Sequence, residues 1–393
     1  MLFFVPALMT AGLLFVPGAW EFSFLRWIPY SSYEFFIVMI PAALLMSAAR
    51  GLFKSESLWT GALWLFNFVY LLFFFSHPVQ AFFYAFWSFA ILKTKEKYPG
   101  PTWAYLLLLL LPMFLKHSAK EIQFWGLSYA TFRAFHLAME PQQAKGIRFR
   151  DYLIFIFYFP SLLAGPIDRW PRFRQALKDS FTAPRVPSLK LAYQFLLLGL
   201  AQKFVLAEAL RRYVLPTSIE NFRQGIIGFY SYPLYLYLDF AGYSALAIGF
   251  SLLLGVSLPL NFDRPYLAQN PQDFWRRFHI TLGEWLRDYF FKPLYLLLSK
   301  RKALAPYPLL RQNLALFSTF FLMGLWNGTQ KHFLISGALF GAYSVVHNIF
   351  VYRAKQKGIR FLSPAFVWLS RFVMLHAACL ALFIFCQQMW EKH

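Results

Sequence analysis

The feature that most narrows what this chain can fold into is a series of apolar runs, each near the length that crosses a bilayer. A hydrocarbon core of about 30 Å takes roughly 20 residues of helix. Runs approaching that length are Leu2–Trp20, Phe35–Ala48, Leu58–Phe75, Trp103–Leu115, Leu191–Leu210, Gly242–Leu260, Leu314–Trp326 and Phe366–Cys386. Composition agrees: 59% of the 393 residues are hydrophobic and 14% charged, against about 45–50% and about 25% in a soluble domain. Lipid offers backbone polar groups no water, so runs of this kind become helices. The sequence therefore predicts an all-α polytopic membrane protein, with roughly 10–12 spans once weaker aromatic segments are included. The first run has no preceding basic residue and no small-x-small cleavage site, and reads as a retained helix.

The net charge of +21 would suggest nucleic acid in a soluble protein. Here the cations cluster in short loops: Arg50–Lys54, Lys93–Lys97, Arg172–Lys178, Arg276–Arg277, Lys300–Lys302 and Arg353–Arg360. That is the pattern of charges held on the cytoplasmic side beside anionic lipid, with no nucleic-acid partner. Cys379 and Cys386 are seven residues apart in the last run, about 10 Å along a helix, too far for a disulfide. They read as packing residues. The polar stretches Glu140–Asp151, Asp179–Lys190 and Ser299–Gln312 are short connectors, so residues 1–393 read as one membrane domain. No fixed-period repeat supports a two-halved transporter.

Three segments do not read as simple spans. Glu121–Glu140 mixes Trp125, Tyr129, Phe132 and Phe135 with Arg133, His136 and carboxylates; Tyr158–Arg174 is broken by Pro160, Pro166 and Pro171. The third, Asn270–Lys292, is the most polar stretch of the chain yet carries Phe and Trp throughout. Polar or broken backbone at membrane depth needs protein or a wet cavity around it, or else lies in the interface. At helical spacing Trp275, His279, Leu282 and Leu286 form one stripe, with Arg276, Arg277, Glu284, Arg287 and Asp288 elsewhere. This is either an amphipathic interfacial helix or a helix that projects His279 into a cavity as a proton acceptor. Glu284 can pair with Arg287 three residues on. Asp239, inside an apolar run, needs a partner: an arginine to neutralise or a histidine to orient. Gly242 permits close helix contact. His77 and His117 read as interfacial, His347 and His376 as structural, and His136 as a possible cavity group. No metal-ligand spacing and no phosphate-loop or dinucleotide fingerprint is present.

Five segments carry a family resemblance: Gly126-Leu-Ser-Tyr-Ala-Thr-Phe-Arg133, Ala164-Gly-Pro-Ile-Asp-Arg169, Asp239-Phe-Ala-Gly-Tyr-Ser, Asn261-Phe-Asp-Arg-Pro-Tyr, and Phe274-Trp-Arg-Arg-Phe-His279-Ile-Thr-Leu-Gly-Glu-Trp-Leu-Arg-Asp288-Tyr. In this order, within residues 120–345, they resemble the bacterial membrane-bound O-acyltransferases, above all the branch that D-alanylates teichoic acid and, further off, the alginate-acetylating branch. The resemblance implies a ring of transmembrane helices around a thin centre pierced by a funnel or tunnel, in a multi-pass protein of the bacterial inner membrane. It implies transfer of D-alanyl or acetyl from a thioester to a hydroxyl of an envelope polymer or glycolipid. The donor would be phosphopantetheine on a small acidic carrier protein at the cytoplasmic face, with no covalently held cofactor. An extracytoplasmic membrane-anchored or periplasmic transferase would be a further partner. Asp239, Tyr243, Trp275, Arg276, Asp288 and Trp326 would line or support the tunnel.

The family's catalytic histidine lies in a Trp-His-Gly triplet, and here the triplet reads Trp326-Asn327-Gly328, 48 residues beyond His279. Where the teichoic-acid branch often has a second histidine, this chain has Phe340-Gly341. An amide donates and accepts hydrogen bonds but is no base near neutral pH, and general-base help is worth about 10²–10⁴-fold. Four readings stand: an introduced change that traps a ligand, a pseudoenzyme scaffold or lipid-handling protein, a shift of the base role to His279 or His332, or a displaced triplet. Under the catalytic reading His279 aligns or deprotonates the acceptor while Asn327 hydrogen-bonds the acyl carbonyl or the hydroxyl.

Overall fold

The structure, a computed structural model, describes residues 33–74, 78–118, 126–182, 185–359 and 363–386. The first apolar run, the 121–125 end of the mixed aromatic segment, His77 and the side chain of His117 lie outside the described residues. Within the described residues the chain is helical, and the only β-pairing is an isolated antiparallel bridge between Phe262 and Phe278. Among the described residues, five helices are long and apolar enough to cross a membrane: Phe35–Leu52, Ser188–Tyr213, Phe222–Leu253, Lys331–Gln356 and Pro364–Phe385. Lys331–Gln356 is absent from the expected runs, because Asn, His and Ser interrupt its apolar residues. The expected run Gly242–Leu260 is instead the end of a 32-residue helix that starts at Phe222 and stops at Leu253.

The chain packs as two compact units: residues 1–195 with 246–258, and residues 196–245 with 259–393. In the first, α1 (Tyr33–Ala49), α2 (Glu56–Phe74), α3 (Pro78–Lys97), α4 (Thr102–Ser118) and α5 (Leu127–Met139) are followed by the short α6 (Phe149–Ile156) and by α7 (Trp170–Thr182). Between α6 and α7 the chain breaks at a one-turn helix, Phe159–Ser161, around Pro160, which cannot continue a helical ladder. The backbone freed there is gathered by buried side chains. Arg133 Nη1 donates to the carbonyls of Phe155 (2.8 Å) and Ile156 (3.1 Å), and Nη2 to the carbonyl (3.1 Å) and hydroxyl (2.7 Å) of Ser161. The Asn67 carboxamide oxygen takes the Phe159 N–H at 2.8 Å. The aromatic sequence around the break thus folds inward: Tyr152 to Phe159 are buried without exception.

The second unit comprises α9 (Phe222–Leu253, up to residue 245), α10 (Pro271–Trp275), α11 (Ile280–Leu286), α12 (Lys292–Ser299), α13 (Pro308–Asn327), α14 (Lys331–Gln356) and α15 (Pro364–Phe385), preceded by the end of α8 (Arg185–Leu200) and its π-helical extension Ala201–Ala207. Helices α13 and α14 meet through glycine: a Cβ on Gly324 would lie 2.4 Å from the Phe333 carbonyl, and one on Gly337 2.6 Å from that of Phe320. Phe274, Phe278, Phe340, Met374, Ala378 and Leu382 form the apolar core of this unit. Cys379 and Cys386 are buried free thiols, in keeping with a packing role.

Candidate functional site

The most polar segment is not the single amphipathic helix that its periodicity suggests. Asn270 caps α10 by accepting the Asp273 N–H at 2.8 Å, with Pro271 in the first helical position. After Trp275 the helix stops, and α11 restarts at Ile280. In the gap the chain pairs with the Asn261 motif: Asp263 N donates to Arg277 O (2.8 Å) and Ile280 N to Asn261 O (2.9 Å). The Asn261 carboxamide ties the clamp together, its Oδ1 accepting from the Thr281 hydroxyl at 2.9 Å and its Nδ2 donating to Ser244 Oγ at 3.2 Å. The ladder leaves His279 with φ 48° and ψ 51°, in the left-handed region that a non-glycine residue enters at a cost. Arg264, at φ 47°, closes the other strand of the clamp in the same way.

This geometry points the His279 ring at α9, where it meets Phe240 edge-on at 4.7 Å between centroids. Its Nε2 is buried and holds no hydrogen bond. Burial pushes the imidazole pKa down to about 3, so the ring is neutral across physiological pH. A ligand or water can complete the bonding of such an atom, and the described residues hold several, Arg133 Nε and Trp275 Nε1 among them. Trp275, Arg276 and Ile280, on either side of His279, line a cavity of about 380 Å³ together with Glu284, Thr319 and Met323. The Trp275 ring packs on Phe340 (4.9 Å) and Phe320 (5.5 Å). Phe340, which stands where a second histidine was expected, is therefore core.

Of the remaining expected site residues, Asp239 pairs with Lys203, a partner that is neither arginine nor histidine. Lys203 belongs to no motif; its sequence signal is a lone cation in an apolar run, which like Asp239 calls for a partner. Gly242 brings the helices together for this pair: a Cβ there would lie 2.8 Å from the Lys203 backbone nitrogen. The motif residues of α9 that touch the His279 clamp are Phe240 and Ser244. Tyr243 is buried one turn from Asp239. Asp288 holds Arg287 (3.0 Å) and Lys292 (2.7 Å), and Glu284 also acts through its charge on Arg287, the arginine expected to pair with it. Arg276 is exposed, Trp326 half-buried and His332 buried, its ring 4.1 Å from that of Phe333. Asn327 is exposed at the end of α13, where its Nδ2 donates to the Met323 carbonyl at 2.8 Å. No contact joins Asn327 to His279 among the described residues.

Two other histidines, His136 and His376, have hydrogen-bond partners. His136 Nε2 accepts the Trp170 N–H at 3.0 Å, and burial, with Arg169 beside it, lowers its pKa to about 3. His376 bonds Tyr230 Oη (3.0 Å) and its own helix at Phe372 O (2.8 Å). No cluster of metal-ligating side chains occurs among the described residues.

Comparison with known proteins gives a consistent picture. The pattern of MBOAT, the membrane-bound O-acyltransferase family, matches residues 32–387. A teichoic acid D-alanyltransferase of Bacillus subtilis (strain 168) is 30% identical over 284 residues, 69% of this chain and 71% of that protein. A peptidoglycan O-acetyltransferase of Helicobacter pylori is 34% identical over 237 residues, 58% of this chain and 43% of the relative. A probable alginate O-acetylase of Azotobacter vinelandii is 34% identical over 224 residues, covering 56% and 42%.

Proposed function

Because the chain belongs to the membrane-bound O-acyltransferase family, we propose that it moves an acyl group, D-alanyl or acetyl, from a thioester to a hydroxyl of a cell-envelope polymer or glycolipid, with His279 as the proton acceptor. The observation that carries this reading is the buried, neutral and unbonded Nε2 of His279, whose chain neighbours Trp275, Arg276 and Ile280 line a cavity that His279 itself does not line. A turn of the imidazole towards that cavity would let an acceptor hydroxyl there donate to Nε2. As its oxygen attacks the thioester carbonyl, the new C–O bond forms, the proton passes to the imidazole, and the C–S bond breaks. The departing thiolate then recovers the proton. An imidazole with a pKa of about 3 holds no proton from solvent at working pH. Negative charge growing on the attacking oxygen raises its basicity at the moment it is needed. Arg276, which lines the cavity and forms no salt bridge among the described residues, would meet that charge.

The donor fits a phosphopantetheine thioester on a small acidic carrier protein, since the basic loops of the chain would attract one. An extracytoplasmic transferase would complete delivery, and the bacterial inner membrane would be the site of action. A second reading, a non-catalytic scaffold or lipid-handling protein on the same fold, draws support from Asn327, which stands where the family has its histidine and spends its amide on its own helix.

The test is reconstitution in proteoliposomes with D-alanyl- and acetyl-thioesters of a holo carrier protein and a glycerol-phosphate glycolipid acceptor. The product is a base-labile O-ester seen by mass spectrometry. Ester formed by the wild-type chain and lost in His279→Ala supports the acyltransferase reading. No ester from any donor, with the glycolipid still retained, supports the scaffold.

A further inference from the structure

The first unit has a polar hollow that takes no part in this chemistry. It is a cavity of about 520 Å³ between the N-terminus of α2, the 145–151 connector and α7. Its lining carries five cations, Lys145, Arg148, Arg150, Arg174 and Lys178, against two carboxylates, Glu56 and Asp151. Asp151 is already engaged by Arg148 at 2.8 Å and Arg150 at 3.6 Å. Lys145, Arg174 and Lys178 are exposed and form no salt bridge among the described residues, and although Lys145 acts on Glu96, positive charge is left over around the hollow. Hydroxyls of Ser57 and Thr60 lie on one wall, and the buried Trp170 belongs to the lining as well.

The surroundings say what kind of anion this is. Gly146 N donates to Glu96 Oε1 at 3.2 Å, bringing the Lys93–Lys97 end of α3 to the connector. Arg50 Nη1 donates to Ser180 O at 2.8 Å, bringing the Arg50–Lys54 loop to α7. Four basic stretches that are far apart in sequence therefore meet in this unit, with Lys54, Lys97, Lys145, Arg174 and Lys178 exposed and Arg50 and Lys95 buried. A face so rich in lysine and arginine is the one that meets the anionic leaflet. Beside the polar lining, Leu52 and Leu58 are 81% and 57% exposed, as lipid-facing side chains are. An acidic protein needs a contact patch of about 800 Å² per partner. A hydroxyl-lined hollow among apolar side chains is instead on the scale of a single headgroup.

We propose that this hollow binds the phosphate-bearing headgroup of an anionic membrane lipid, held by Lys145, Arg174 and Lys178, with its chains along the exposed apolar side chains nearby. The site is independent of the acyl-transfer reading, since it uses none of the second unit.

The experiment is native mass spectrometry of the purified full chain in detergent, titrated with phosphatidylglycerol, phosphatidylcholine and, as a soluble phosphate, glycerol phosphate. The wild type should retain phosphatidylglycerol at least about tenfold better than phosphatidylcholine. At about 1 kcal/mol for each basic side chain near an anionic headgroup, the Lys145→Gln/Arg174→Gln/Lys178→Gln variant should lose affinity on the order of 100-fold. The matched variant Lys355→Gln/Lys357→Gln, at the exposed end of α14, should bind as the wild type does. All of these positions are exposed, so folding is preserved and is checked by an unchanged Tm. Equal retention of both lipids, or an unchanged affinity in the triple variant, overturns the proposal. Glycerol phosphate binding as tightly as the lipid, or an acidic carrier protein alone losing affinity in the triple variant, overturns the lipid assignment.

Discussion

Each of the two units buries polar residues contributed by the same family motifs, and the two put them to different ends. In the first, the Arg133 guanidinium joins three carbonyls and a hydroxyl, His136 receives the Trp170 amide, and the buried Asp168 holds Arg172. These groups close a break in the backbone. In the second, the Asn261 clamp is bonded through both atoms of its carboxamide, but His279 Nε2 and Trp275 Nε1 are buried without hydrogen bonds, as Arg133 Nε is in the first, and Trp275 lines a cavity. A polar group that has spent its hydrogen bonds is part of the architecture. One that is held rigidly with a bond unspent is available to a substrate.

That contrast can be broken at either end. The largest effect is expected from Arg133→Met. It strips the donors from several buried acceptors at once, and the penalty should reach about 3–5 kcal/mol of stability. Size-exclusion profiles and Tm in detergent would record it, and a wild-type Tm would show that the clasp around Pro160 is not what holds the break. Next, His136→Ala should cost about 1–3 kcal/mol, because the Trp170 N–H is left unpaired, while turnover per folded molecule is kept. A selective loss of turnover there would move chemistry into the first unit.

Smaller is Asn327→Ala. Exposed and bonded to its own helix, Asn327 should change stability by less than about 0.5 kcal/mol. If His279 is the base, the rate of transfer should change by less than about tenfold. A larger drop in kcat would transfer the central role to Asn327. The smallest expected signal is in the pH profile. His279 is neutral in the folded protein at every pH above about 3, so kcat/KM should show no imidazole ionisation near the ordinary value of about 6.5. Stability behaves differently. Between those two values the unfolded chain binds more protons at His279 and His136 than the folded one, so Tm should rise with pH up to about 6.5 and fall as the solution is acidified towards 3. A profile of kcat/KM with a clear step near 6.5 would mean that the imidazole is wet.

Much of this was legible in the sequence, and the remainder has definite physical causes. Apolar runs carry the helical class, and the ordered motifs carry the family. Gly242 reads correctly as a close approach, and the need of Asp239 for a partner follows from its apolar surroundings. Its partner Lys203 is invisible to local pattern, because the two meet only after helices 36 residues apart in sequence pack together. The break between Trp275 and Ile280 is hidden by apolar residues that keep helical spacing through it. What stops the helix is pairing with Asn261 from a distant segment, and no propensity within Phe274–Tyr289 encodes that. His136 reads as a possible cavity group because composition cannot tell a satisfied buried group from an open one. The same ambiguity surrounded His279, and only its hydrogen-bond inventory separates the two cases.

The central claim is that the open nitrogen of His279 works in acyl transfer and not in folding. The most direct measurement pairs the single-turnover rate of ester formation in proteoliposomes with Tm, for wild type and His279→Ala. The account predicts a rate lower by about 10²–10⁴-fold, with Tm lowered only by the lost packing of the ring on Phe240, since Nε2 contributes no hydrogen bond to the fold. Unchanged turnover in His279→Ala would contradict it.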